Sequence, residues 1–352
     1  MPAITLRNAG SGIASFLMAG VALLGPSRPA LADDDFYKGR QITVICGFSP
    51  GGGYDLYARL LSRHIGNHIP GRPSVVVQTM EGASTVRASN HVYVTAPKDG
   101  SVIAAVNQNM PLYQLLGGKA AQFEAARLQW LGSIIGSNGT LYTWHTSPTK
   151  SIADAKTRET ILGGTGTNSD SHIYPTFINN TLGTRFKVIN GYTGGTREIN
   201  IALERGEVEG RGGNSWAGLV SSSKAWIDAG RLNFLVQIGF TPEPVPELAG
   251  IPLLIDLMAS EEDRKVATVV TLPTAVGFAY WLSPEVPAER MAVLRRAFDA
   301  TMQDAGFLAE ADKSQAQVRA QSGAAIQALV EKAAATPKAL IERAGRLLEW
   351  KD

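Results

Sequence analysis

Short β-branched apolar runs alternate along the chain with stretches whose apolar residues recur at helical spacing, and glycine marks many of the joints. Residues 41–48 form the first such run and predict a buried strand. Ser49, Pro50, Gly51, Gly52 and Gly53 end it, and Leu56, Leu60, Leu61 and Ile65 then share one helical face. The same reading predicts strands at 75–78, 101–106, 160–162, 186–189, 232–238 and 274–282. It predicts helices at 86–94, 170–182, 196–205 and 288–302, with helical stretches at 325–329 and 340–348. Residues 241–252 are proline-rich and predict a surface crossing. Three strand-to-helix joints carry glycine-rich loops: 49–53, 163–169 and 191–195. That is the pattern of open α/β sheets, whose ligands sit beyond the carboxyl ends of the strands.

A glycine loop opening onto a helix start suits an anion, because free N–H groups and the positive end of the helix dipole meet there. The anion is not a nucleotide phosphate. No Lys lies between Lys38 and Lys98, and residues 51–56 break the dinucleotide glycine pattern at its third position. Asp55 would repel phosphate, yet at a helix start it favours the dipole. A small carboxylate held by neutral N–H donors fits this loop; a plain βα turn that binds nothing has the same residues. The other two loops add donors in the same style. Asn168 or Ser169 can cap the helix at Asp170 while reaching a ligand, Tyr192 offers a hydroxyl, and Gly194 and Gly195 expose N–H groups. Charge-assisted hydrogen bonds contribute roughly 1.5–3 kcal/mol each, so four or five reach the roughly 8 kcal/mol of a micromolar complex after ordering costs. A fixed positive charge is unnecessary on this reading, with Arg197 or Arg211 as assistants.

Composition narrows the partners. The formal net charge is +2 and the basic residues are scattered, so nothing in the charge pattern suggests nucleic acid or a membrane surface as partner. The single cysteine, Cys46, lies in the first strand and reads as a buried structural thiol, so no internal disulfide or cysteine-based metal site exists. His64 and His68 are four apart without the glutamate of a metal motif, and no metal or other cofactor is expected. Ser169, Asp170 and His172 stand too close in sequence to converge as a triad. At the amino end, Arg7, an apolar run at 13–24 and Ala30-Leu31-Ala32 read as an export signal cleaved after Ala32, with a periplasmic mature chain. Roughly 320 remaining residues exceed one ordinary core and predict two domains.

Taken together, the segments 36–42, 48–59 (with the Pro-Gly-Gly-x-x-Asp-x-x-x-Arg element at Pro50, Gly51, Gly52, Asp55 and Arg59), 97–100, 164–169 with His172, and 191–195 resemble the substrate-binding proteins of tripartite tricarboxylate transporters, the Bug-type receptors. The resemblance covers most of the mature chain. It implies an α/β periplasmic binding protein of type II-like, two-lobed architecture, each lobe a mixed, mainly parallel sheet flanked by helices. Lobe 1 would comprise 33–136 and 256–352, and lobe 2 residues 137–255, with the chain crossing near 136–139 and 253–260. The site residues it implies are Ser49, Gly51, Gly52, Gly53, Asp55, Ala83 and Asn107 from lobe 1. From lobe 2 they are Thr167, Asn168, Ser169, His172, Tyr192 and Gly195. The implied partners are a small carboxylate and a membrane permease, with the receptor itself a monomer and not an enzyme. Two departures bear on ligand identity: residues 192–197 lack the family's usual Lys and Pro, and 211–216, ending in Trp216, are bulkier and richer in donors. A sensing module for a signalling partner shares these features and remains an alternative, as does an exported hydrolase, which would need a base–nucleophile pair meeting across the cleft.

Overall fold

The computed structural model describes residues 36–192 and 195–350, so the export signal read at 1–32 lies outside the described residues. Eleven strands among the described residues form two sheets. The first holds β1 (Gln41–Cys46), β2 (Ser74–Thr79), β3 (Val102–Ala105), β4 (Gln129–Ser133), β10 (Ala279–Leu282) and β11 (Gln321–Ser322), in the order β11-β4-β10-β3-β1-β2. The second holds β5 (Gly139–Trp144), β6 (Thr160–Gly164), β7 (Phe186–Asn190), β8 (Gly210–Ser215) and β9 (Leu232–Ile238), in the order β7-β6-β8-β5-β9. Each sheet is mixed in the same way. One side is parallel (β2-β1-β3 and β7-β6-β8) and the other antiparallel.

The parallel strands give the reason. Ile42, Val44 and Cys46 of β1 are buried among helices, as a strand covered on its faces must be. The Cys46 thiol donates a long bond to the Phe48 carbonyl, and burial pushes its pKa up to about 11, as an inert structural thiol requires. Eight helices matter below: α1 (Gly53–His64), α2 (Asp170–Leu182), α3 (Thr196–Glu204), α4 (Trp216–Asp228), α5 (Glu261–Thr271), α6 (Ala288–Thr301), α7 (Gly323–Ala334) and α8 (Lys338–Leu347). Helices α1 and α6 cover one face of the first sheet, and α7 packs on β4. Helix α2 lies on the second sheet, and α5 and α8 pack with it around Phe177, Val266, Val270 and Ala344. The last helix of the chain therefore rests beside the second sheet rather than the first. No helix among the described residues is long and apolar enough to cross a membrane.

Two sequence expectations change. Residues 274–282 are not one strand: Pro273–Val276 is a helical turn, and only Ala279–Leu282 pairs in the sheet. Gly277 makes the break, with φ +60° and no room for a Cβ against the Ile135 carbonyl. Residues 129–133, 139–144 and 210–215, not among the expected strands, supply β4, β5 and β8.

Candidate functional site

Chain crossings between the sheets are pinned by one buried carboxylate. Residues 134–138 lead from β4 in the first sheet to β5 in the second. Glu243, 7% exposed, accepts there from the Asn138 N–H (2.9 Å) and pairs with Arg319 at 2.9 Å. Beside this crossing the loops at the carboxyl ends of β1, β3, β6 and β7 face one another across a narrow cleft.

From the first sheet the cleft receives Phe48, Ser49, Gly52, Gly53, Tyr54, Asn107, Gln108 and Phe278. The glycine loop is shaped by Asp55. Its carboxylate accepts the Gly51 N–H at 3.0 Å and the Arg59 Nε–H at 2.8 Å. The acid and the base of the Pro-Gly-Gly-x-x-Asp-x-x-x-Arg element thus serve the turn, and Gly51, Asp55 and Arg59 do not line the cleft. Gly52 is the N-cap of α1 and has ordinary extended dihedrals; a Cβ there would meet only the Thr196 Oγ1, at 3.9 Å. Gly53 is different. A Cβ on it would lie 3.1 Å from Gly218 Cα and 3.2 Å from the Phe278 ring, so this glycine lets α1 and α4 approach. An aromatic wall follows: Phe48 stacks on Tyr54 at 4.4 Å, and Phe278 meets Tyr54 edge-on at 4.6 Å. The Tyr54 hydroxyl accepts the Gln108 N–H at 3.0 Å, and burial pushes its pKa far up, so it keeps a hydrogen to donate.

From the second sheet come Thr165, Ser169, Asp170, Ser171, Gly195, Thr196, Arg211, Gly213, Asn214, Ser215 and Gly218. Arg211 is 8% exposed; its Nη1 donates to Thr196 Oγ1 at 3.0 Å, while its buried Nε has no partner. Burial lowers its pKa, but a guanidinium remains protonated in proteins. Asp170 is the first residue of α2. Its carboxylate accepts from Gln108 Nε2 at 3.0 Å and from Asn109 Nδ2, both on the far side of the cleft. Burial raises its pKa to about 6, against the lowering pull of Asn109, Arg211 and Gln108. The Ser169 hydroxyl donates to the Gly166 carbonyl at 2.7 Å. His172 faces Asn190 at 3.0 Å instead, so Ser169 has no imidazole beside it.

No protein-family model matches the sequence, and no curated protein matches it. Solved structures do. BugD, a periplasmic binding protein, is 19% identical with a TM-score of 0.68, covering 88% of this chain and 99% of its own. MatC from Rhodopseudomonas palustris with bound malate is 17% identical, at a TM-score of 0.64 over 88% and 99%. A TctC solute-binding protein from Polaromonas is 18% identical, at 0.58 over 87% and 99%. The chain has the fold of these two-lobed periplasmic binding proteins. In the Bug/TctC fold the glycine loops expected from sequence face each other across the cleft described above.

Of the thirteen residues expected at the site, the cleft brings together Ser49, Gly52, Gly53, Asn107, Ser169 and Gly195. Gly51 and Asp55 build the turn behind it. Ala83 stands outside the lining in a left-handed turn with Ser84 and Thr85, whose φ values are +48°, +50° and +80°. Thr167 and Asn168 sit on the outer part of their loop and His172 on the outer side of α2, none of them in the lining. Tyr192 packs against the core of Ile199 and Leu203, and its neighbours Thr193 and Gly194 lie outside the described residues. Trp216 is a packing residue, 2% exposed beside Phe234. The reading passed over Phe48, Tyr54, Gln108, Asp170 and Phe278 as cleft residues, and it gave Arg211 only an assisting part. No local signal marks Arg211 as buried, because the strand around it is glycine-rich and polar.

Proposed function

We propose that the protein is a periplasmic receptor, not an enzyme, that captures a small organic carboxylate between its lobes and delivers it to a tripartite tricarboxylate-type permease. The observation that carries this reading is Arg211: a guanidinium only 8% exposed, its Nη1 on Thr196, in the lining of a cleft where helix N-termini and glycine loops face one another. Neutral amides alone do not account for that geometry, so the fixed charge replaces the all-neutral grip as the anchor of the anion. MatC, with malate, offers the precedent for a carboxylate in this fold.

On this proposal lobe 1 is 33–136 with 256–352 and lobe 2 is 137–255, closing about the crossings near 136–139 and 253–260 as a hinge. Helices α5 and α8 then reach from lobe 1 onto lobe 2. The export signal ends at Ala32, and the mature chain works as a monomer. A thermal-shift screen of the mature protein against carboxylates tests the reading. A true ligand at a hundred times its dissociation constant stabilises by about 2.7 kcal/mol; a chain indifferent to every carboxylate overturns it.

A further inference from the structure

Among the described residues that line the cleft, Asp170 and Arg211 alone carry formal charges, and the negative one is the less buried. Asp170 opens α2, and β8 lies directly against it, since a Cβ on Gly213 would overlap the Asp170 backbone. Its carboxylate accepts from Gln108 Nε2 at 3.0 Å and from Asn109 Nδ2. Four elements face it. The loop at 107–109 presents those neutral amides, α1 the Tyr54 hydroxyl, and β8 the Arg211 guanidinium, which bonds to Thr196 rather than to Asp170. On α2 itself the titratable neighbours are Tyr174 and His172, the latter turned to Asn190. Burial keeps both tyrosines protonated far above neutral pH.

A ligand carboxylate thus enters a narrow cleft that already holds a carboxylate. Each of the two, ionised, has only acceptors to offer the other. Like charges sharing a poorly solvated site raise the pKa of one partner until it takes a proton. The more basic of the two receives it. Burial has already raised Asp170 to about 6, against about 4 for an ordinary organic acid. Protonated, Asp170 gains an O–H, while its other oxygen still accepts from the amides across the cleft. Arg211 then balances the charge of a monoanion one for one.

Resting on the receptor reading above, we infer that Asp170 holds the captured carboxylate as a neutral acid: it takes one proton from solvent on capture, and its O–H donates a hydrogen bond to the ligand. Only that O–H bond forms, and release of the ligand returns the proton. Capture is therefore tied to pH. Affinity is highest below the pKa of free Asp170 and falls as pH rises toward the higher value in the complex.

The test is calorimetry on the mature protein with malate, adipate, succinate and benzoate, from about pH 6 to about pH 8, where these probes are ionised. A rise of about 1.5 units in the Asp170 pKa on capture gives uptake of about two-thirds of a proton at pH 7. That uptake is read from the dependence of the heat on the buffer's ionisation enthalpy. The same rise makes affinity fall about tenfold across the range. Asp170→Asn, whose amide N–H stands in for the O–H, should bind without proton uptake and equally well at every pH, more tightly than the parent at the alkaline end. A purely structural Asp170 would instead make the variant weaker throughout. Asp170→Ser, a neutral donor at the helix start, must lose the uptake too and decides the matter if the Asn variant fails to fold. Binding without proton uptake, or uptake that survives both variants, overturns the inference and leaves the receptor reading standing. Binding of no probe at any pH, alongside a blank carboxylate screen, overturns both.

Discussion

At Asp55 one carboxylate accepts the Gly51 N–H and the Arg59 guanidinium, so the most recognisable motif of the chain is a device for shaping a loop. Sequence reasoning found the motif because its residue types are unusual in combination. It could not tell a residue that touches a ligand from one that holds the touching residue in place. Gly52 lines the cleft. Its dihedrals suit any residue and a Cβ would meet no atom closer than 3.9 Å, so Gly52→Val should fold normally while its side chain intrudes on the cleft. The expected result is a melting temperature close to the parent's with ligand affinity reduced at least a hundredfold, read by calorimetry. Full affinity in the folded variant would move the ligand away from α1. Arg211 escaped as a principal residue because one arginine among many carries no local mark of burial; only its surroundings remove it from water.

Strand β8, Gly-Arg-Gly-Gly-Asn-Ser, has almost none of the residues that favour strands, and propensity argues against it. It is a strand because α2 lies directly on it. A Cβ at Gly212 would overlap the Pro175 ring, and one at Gly213, where φ is +69°, would overlap the backbone of Asp170. The glycines thus permit a helix to rest on a sheet at backbone distance, and that contact sets Asp170 in the cleft. Gly213→Ala combines an unfavourable φ with a backbone overlap and should cost about 3 kcal/mol in urea unfolding. An equivalent change at Gly230, also at positive φ but with open space around it, should cost about 1 kcal/mol. Equal losses at the two sites would show that packing of α2 on β8 is not what selects glycine. By contrast β1 and α1 were legible from sequence because burial and periodicity act on the same residues in each.

Over the whole molecule, Asp170 is a bond between the sheets as well as a cleft residue, and its ionisation is linked to stability. Its pKa is about 6 in the folded protein and near the usual aspartate value when unfolded, so the folded state binds the extra proton between these limits. A raised carboxylate pKa makes this group's contribution fall as pH rises from about 4 to about 6. The total is about 3 kcal/mol, two units at about 1.4 kcal/mol each. Measured by urea unfolding, the stability difference between the parent and Asp170→Asn should therefore shift against the parent across that window; a constant difference would mean Asp170 is better solvated than its burial implies. Linear sequence by itself determined the alternation of strand and helix, the glycine joints and the exclusion of nucleotide loops, because these depend on dihedral preferences and spacing within a few residues. Tertiary structure alone decided which loops meet, since the cleft joins residues 48–54, 107–108, 165–171, 195–196, 211–218 and 278. It also decided which charges lose water there: Arg211, 8% exposed, and the half-buried Asp170 are made distinctive by neighbours brought in from other strands, and desolvation is a property of surroundings rather than of residue type.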